Sequence, residues 1–298
     1  MTEQNQLKTA KATWLYPPIW ISDMSDSEFK TRFPNNNQPI FESGIVVFND
    51  RCQNLPFLIR EDGFIAVETE DTKVAIDFFN TFVACAFTSE IRLLAVPELE
   101  IQSMGMNFER SMVGMESIIE SKIAMTLRAL LHSRQTGTNQ MLHYQGLTLQ
   151  PKNKIAAVVD LVKKVFPNEE SRKKLTFFAQ SFTHHAQGEY LASFILAWTI
   201  VENYIDSLWE QFLSSKEIRG DRKNNLTGRD WTVNHKLQTL NLAGVVKNDN
   251  FHTLDVLRKK RNDFVHDMEE ISNAQSLECL KLAAFVIGKE ISNLNNAQ

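Results

Sequence analysis

The segment Arg258-Lys259-Lys260-Arg261-Asn262-Asp263-Phe264-Val265-His266 places a guanidinium, an amide and an imidazole close together, where they could grip an anion and move a proton. Read as a helix over 251–266, it carries Leu254, Leu257, Phe264 and Met268 on one apolar stripe at spacings of three and four residues. Arg261 falls on that stripe. A guanidinium keeps its proton, so its place among leucines calls for an anion, a dimer interface or a cleft. Asn262 and His266 are four apart and share a neighbouring face, within reach of the arginine's long arm. The three heads can converge on one small anionic group, and the imidazole titrates near neutral pH.

These residues need elements to hold them. From Asn153 onward the chain reads as an all-α bundle, with helices over about 153–166, 169–186, 189–214, 231–243, 251–267 and 273–293. Pro167-Asn168, Gly188 and Gly244 supply the stops. The long helix from Tyr190 has an apolar stripe of Leu191, Phe194, Ile195, Trp198, Val201, Ile205, Leu208 and Phe212, with Glu202 at its edge. Glu202 is therefore the expected partner of Arg261, either as an internal salt bridge without chemistry or as a supporting polar residue of a site. One polar loop, Ser214 to Asp230, carries Lys216, Arg219, Arg222, Lys223 and Arg229. With Arg258 and Lys259, Arg222 and Lys223 are the expected contacts to a phosphate backbone, although Glu217, Asp221 and Asp230 suit a plain solvated loop as well.

The 298 residues are 43% hydrophobic, enough for a globular protein of two domains, expected at 1–150 and 151–298. Residues 1–150 hold 12 basic and 18 acidic side chains, a net of −6; residues 151–298 hold 20 and 18, a net of +2. A polyanion should meet the second half. Cys52, Cys85 and Cys279 match no metal spacing and suit reduced thiols in the cytoplasm. The N-terminus, Met1 to Lys11, lacks the apolar core of a signal peptide. The longest mainly apolar run, Tyr190 to Val201, is 12 residues, short of the ~20 that span a bilayer, so no membrane partner is expected.

The first half reads as mixed α+β. Strand-like pieces at Gly44 to Phe48 and Gly63 to Glu68 flank turn-rich segments such as Asn35-Asn36-Asn37-Gln38-Pro39. A helix over Thr72 to Phe87 carries Val74, Ile76, Phe78, Phe79, Phe82 and Val83. Arg92 to Val96 and Leu99 to Met104 could return to a sheet, Met115 to His132 has helical periodicity, and residues 134–150 read as a linker. The fold class is thus α+β, an N-terminal mixed domain followed by an up-and-down helical bundle.

The run Arg261-Asn262-Asp263-Phe264-Val265-His266 resembles the arginine, polar residue, three variable residues and histidine motif of the HEPN superfamily, many of whose members are metal-independent ribonucleases of toxin–antitoxin and antiviral systems. The order of elements is similar too: a long helix with Ala197-Trp198-Thr199-Ile200-Val201-Glu202, a helix around Lys236 to Leu242, then the helix leading into Arg261. The resemblance covers roughly residues 155–295. It implies that Arg261 and His266 are catalytic, that Asn262 orients the phosphate or the histidine, and that Glu202 supports them. It also implies an RNA substrate, no metal or other cofactor, and a homodimer through the C-terminal bundle with the Arg261 and His266 pairs facing each other. The N-terminal domain would then sense a regulatory ligand or partner. Toxins of this superfamily often carry a tyrosine two residues after the histidine; Met268 stands here, so control by nucleotidylation is not expected.

The implied chemistry is physically coherent. RNA carries its own nucleophile in the 2′-hydroxyl, so cleavage needs a base, a proton donor and a cation for the developing phosphorane charge. His266 suits the proton transfer and Arg261 the phosphate oxygens, giving a 2′,3′-cyclic phosphate and a 5′-hydroxyl. Two rivals share the pocket: a non-catalytic dimerisation or binding module, and a nucleotide-binding module. Adjacent His184 and His185 point about 100° apart and suit a solvated helix end rather than a zinc helix. His235 and His252 suit surface positions near helix starts. No phosphate-binding glycine loop, nucleophile elbow, Cys-x-x-Cys or His-Glu-x-x-His occurs.

Overall fold

The computed structural model describes residues 7–34, 44–109, 112–113, 147–228 and 230–296. The turn at Asn35 to Pro39, the helix over Met115 to His132, residues 134–146 of the linker and Arg229 lie outside the described residues. An α+β region comes first and a helical region follows. By compactness the chain divides into two units, residues 1–183 with 290–298, and residues 184–289. The boundary expected at 150 falls within the first unit.

The first unit is built on a six-stranded antiparallel sheet in the order β3-β4-β5-β1-β6-β7. Its strands are β1 (Lys8–Trp14), β3 (Val46–Cys52), β4 (Leu55–Arg60), β5 (Phe64–Val67), β6 (Gln102–Asn107) and β7 (Met112–Val113). β1 pairs with both β5 and β6, so a polar N-terminal stretch forms an inner strand, with Ala10, Ala12 and Trp14 buried. β2 (Ile19–Ile21) pairs in parallel with β8 (Thr148–Gln150), so the last residues of the expected linker form a strand instead. Between β4 and β5 the chain turns at Gly63, whose φ of +76° strains any side chain and where a Cβ would stand only 3.2 Å from the Ile19 carbonyl oxygen. Flanking that turn, Arg60 and Asp62 form a buried ion pair at 2.8 Å.

α1 (Asp26–Arg32) starts with a capping box between Ser25 and Glu28. α2 (Thr72–Thr88) is capped by Asp71 and buries Phe78, Phe79, Phe82 and Val83, as its dense apolar pattern required; it packs against α3 (Lys152–Val165). Arg92 to Val96 does not join the sheet. Its backbone is claimed by side chains and a loop: Val96 N donates to Asn80 Oδ1 (2.7 Å), Ala95 N to Thr183 Oγ1 (2.7 Å), and Leu94 N to the Tyr16 carbonyl (2.7 Å). A segment whose groups are satisfied this way has no need of a ladder. Residues 98–100 form a 3-10 turn before β6.

Two helices cross the unit boundary, α4 (Glu169–Ala186) and α9 (Asn273–Asn296). Between them the second unit contains α5 (Tyr190–Ser215), α6 (Gly220–Thr227), α7 (Val233–Leu242) and α8 (Asn248–Asp267). α5 buries Phe194, Ala197, Trp198, Val201, Ile205 and Trp209, and α7 packs against both α5 and α8 through Leu237 and Leu240. α7 ends at Gly244, whose left-handed φ of +74° costs little without a Cβ. The polar segment 214–230, expected as a loop, includes α6, whose side chains are all at least partly exposed; Leu226 is its one large apolar residue. Among the described residues no helix is long and apolar enough to cross a membrane.

Candidate functional site

Within the second unit, α5, the end of α6, the start of α7 and α8 enclose a cleft of about 650 Å³. α5 contributes Trp198, Glu202 and Asp206, one helical turn apart at i, i+4 and i+8. α8 contributes Arg258, Arg261 and Asn262, the α6–α7 connection contributes Trp231 and Thr232, and the first turn of α7 contributes His235 and Lys236. Leu254 and Leu257 sink into the core one turn below and hold this face of α8 inward.

The cations near this site differ in one respect. Arg258 clasps Asp255 through Nε (3.1 Å) and Nη2 (2.7 Å), and Lys259 meets the same carboxylate at 2.8 Å. Burial pushes the Asp255 carboxyl up, but the hydrogen bonds from Lys259 and Arg258 outweigh it and hold the group below the usual range. Lys236 bonds Asp206 at 2.7 Å, and Lys260 bonds Glu269 at 2.8 Å, which raises the lysine. Arg261 forms no ion pair among the described residues; Nη1 donates only to the neutral Asn262 Oδ1, at 3.3 Å. A half-buried guanidinium on a cleft wall thus keeps donors available for an anion.

The positions anticipated from sequence separate here. Arg261, Asn262, Glu202 and Arg258 share the cleft wall; His266, Lys259, Arg222 and Lys223 do not line it. The Glu202–Arg261 salt bridge is not formed: both side chains face the same space, but no ion pair or hydrogen bond joins them. Convergence of three heads reduces to two, because His266 is exposed on the last turn of α8. Met268 leaves the stripe altogether, at 86% exposure. The helix stops at Asp267, Met268 takes a left-handed conformation (φ 56°), and its N–H closes on the Phe264 carbonyl, so the chain swings outward. Arg222 and Lys223 lie on α6, and Lys259 points away with 62% of its side chain exposed.

Several cleft residues carried no signal in the sequence. Trp231 stacks on Trp209 with ring centres 4.9 Å apart and planes 19° apart. His235 is exposed, as expected, but it also lines the cleft, with Nδ1 3.2 Å from the Asp230 carbonyl. Nδ1 also lies 3.3 Å from the Thr232 hydroxyl, so it either donates to the carbonyl or accepts from Thr232. His185 departs from a solvated helix end: it is partly buried, its Nδ1 lies 3.0 Å from Ser276 Oγ, and burial lowers its pKa. The three cysteines are free and buried, and burial pushes the Cys52 thiol up to about 11. Compared with family models, curated proteins and solved structures, the chain matches none.

Proposed function

We propose that the chain is a metal-independent RNA endonuclease of HEPN type, acting in the cytoplasm in toxin or anti-phage defence, with its phosphate grip at Arg261. The observation that carries this reading is the contrast on α8: Arg258, Lys259 and Lys260 are each matched to a carboxylate, whereas Arg261, facing the cleft, bonds only a neutral amide among the described residues. A planar fork with donors to spare suits a phosphodiester. Asn262 orients that fork. His266, exposed beside Val265, transfers the proton, and it joins the phosphate when a second copy of the bundle covers this end of α8. The first unit, with its separate sheet, is the regulatory part of the chain.

The test is incubation of the full chain with RNA in EDTA beside Arg261→Ala, His266→Ala and His235→Ala variants, with product ends mapped. Cleavage to 2′,3′-cyclic phosphates that Arg261→Ala and His266→Ala abolish supports the reading. Equal cleavage by wild type and these two variants, or loss of cleavage in EDTA, refutes it. Activity lost in His235→Ala but kept in His266→Ala would move proton transfer to the imidazole inside the cleft.

The exposure of His266 away from the cleft wall favours a second reading, a binding module that holds RNA or a nucleotide without cutting it. It requires RNA binding that depends on Arg261, no turnover, and indifference to His266→Ala.

A further inference from the structure

We infer that the cleft holds an unpaired nucleobase against Trp231, so that the nucleic acid it takes is single-stranded. This rests on the proposed phosphate at Arg261. Trp231 is the outer ring of an aromatic column. Phe212 stacks on Trp209 (5.6 Å, 28°), and Trp209 on Trp231 (4.9 Å, 19°). The middle ring is rigid: Trp209 is 2% exposed and its indole N–H donates to the Leu226 carbonyl at 2.8 Å. Trp231 has Trp209 against one face, yet it stays partly exposed and forms part of the same wall as Arg261. His235 meets Trp231 in an edge-type contact, at 64° and 6.0 Å, rather than a parallel stack.

A cleft with a flat aromatic surface and an unneutralised guanidinium offers one contact for each half of a nucleotide. Stacking accepts any base, because every base has a π-face. It needs that base out of the helix: in an A-form duplex the faces are covered by their neighbours, and the deep major groove admits no side chain of this size. The column therefore selects strand state rather than sequence, and a rigid platform loses little entropy on binding.

The experiment measures fluorescence anisotropy of the full chain with three labelled ten-nucleotide probes, each 2′-O-methylated to block cleavage. The probes are an oligouridylate, the same chain with abasic sugars, and a blunt duplex. The oligouridylate should bind roughly 5- to 150-fold more tightly than the abasic chain, the range that one stacked base supplies. Trp231→Leu should abolish that difference and Trp231→Phe should keep most of it, while Arg261→Ala should weaken both single-stranded probes alike. Equal affinity of the wild type for the oligouridylate and the abasic chain overturns the inference, even if Trp231→Leu fails to fold. So does duplex binding as tight as the oligouridylate, or a difference that survives intact in Trp231→Leu. If Arg261→Ala leaves both single-stranded probes unaffected, it is the phosphate reading that fails, and the subsite with it.

Discussion

Replacing Arg261 by alanine should leave the fold almost intact while weakening RNA binding, a combination that separates a ligand-facing arginine from a structural one. Removing one partner of a buried ion pair costs about 3–5 kcal/mol, because the other charge is stranded. Arg261 strands nothing of the kind: among the described residues its sole hydrogen bond is a 3.3 Å contact to the Asn262 amide, and Glu202 is not bonded to it. A bond of this type contributes on the order of 0.5–1.5 kcal/mol net, so stability should fall by no more than about 1.5 kcal/mol. On the ligand side a charge-assisted hydrogen bond is worth roughly 1.5–3 kcal/mol, or about a 10- to 150-fold loss in affinity. Chemical denaturation gives the first quantity and anisotropy with single-stranded RNA the second. Binding measured across a salt series adds a further check, since loss of one phosphate contact should make the log–log slope shallower by about 0.7. A stability loss of several kcal/mol, or an unchanged affinity and salt slope, would refute the reasoning and return Arg261 to the scaffold.

Other consequences follow from the same geometry. His266→Ala, which removes an exposed side chain, should melt like the wild type and bind RNA normally, yet lose cleavage by about 10²- to 10⁴-fold; a parallel loss of binding would mean that the imidazole is a contact rather than a proton carrier. In the first unit, Arg60→Met leaves the Asp62 carboxylate buried without its cation, and unfolding at pH 7 should register a loss of about 3–5 kcal/mol. Burial raises the Asp62 pKa to about 6, against the lowering influence of Arg60, so the folded state holds the proton more tightly than the unfolded chain. Asp62 therefore contributes stability that is complete below about pH 4 and is lost as pH rises through about 6. The Arg60→Met deficit should accordingly shrink at pH 4, where Asp62 is neutral, and a deficit independent of pH would count against the buried pair. Asn80→Ala removes both bonds to Val96, at 2.7 and 3.2 Å, and each orphaned backbone group should cost about 1–3 kcal/mol in urea titrations; a neutral substitution would show that water replaces the amide.

Local periodicity was enough to place most helices. The helices read at 153–166, 169–186 and 189–214 are found at Lys152–Val165, Glu169–Ala186 and Tyr190–Ser215, because apolar spacing and the stops at Pro167 and Gly188 act within a few residues of themselves. The same local logic marked Arg261 as a charge on a face meant for burial. Strand β1 was not legible, since Lys8–Trp14 becomes a strand only by pairing with Phe64–Val67 and Gln102–Asn107, and no short-range pattern encodes a partner so far along the chain. Nor could the chain alone reveal which carboxylate reaches which cation. Asp206 takes Lys236 from another helix and Glu202 leaves Arg261 unmatched, because helix crossings set those distances. Trp231 drew no reading from the sequence, and its place in the cleft follows from packing against Trp209. Residue identity thus determined which groups could act, and the three-dimensional meeting of α5, α7 and α8 decided which of them face the same space.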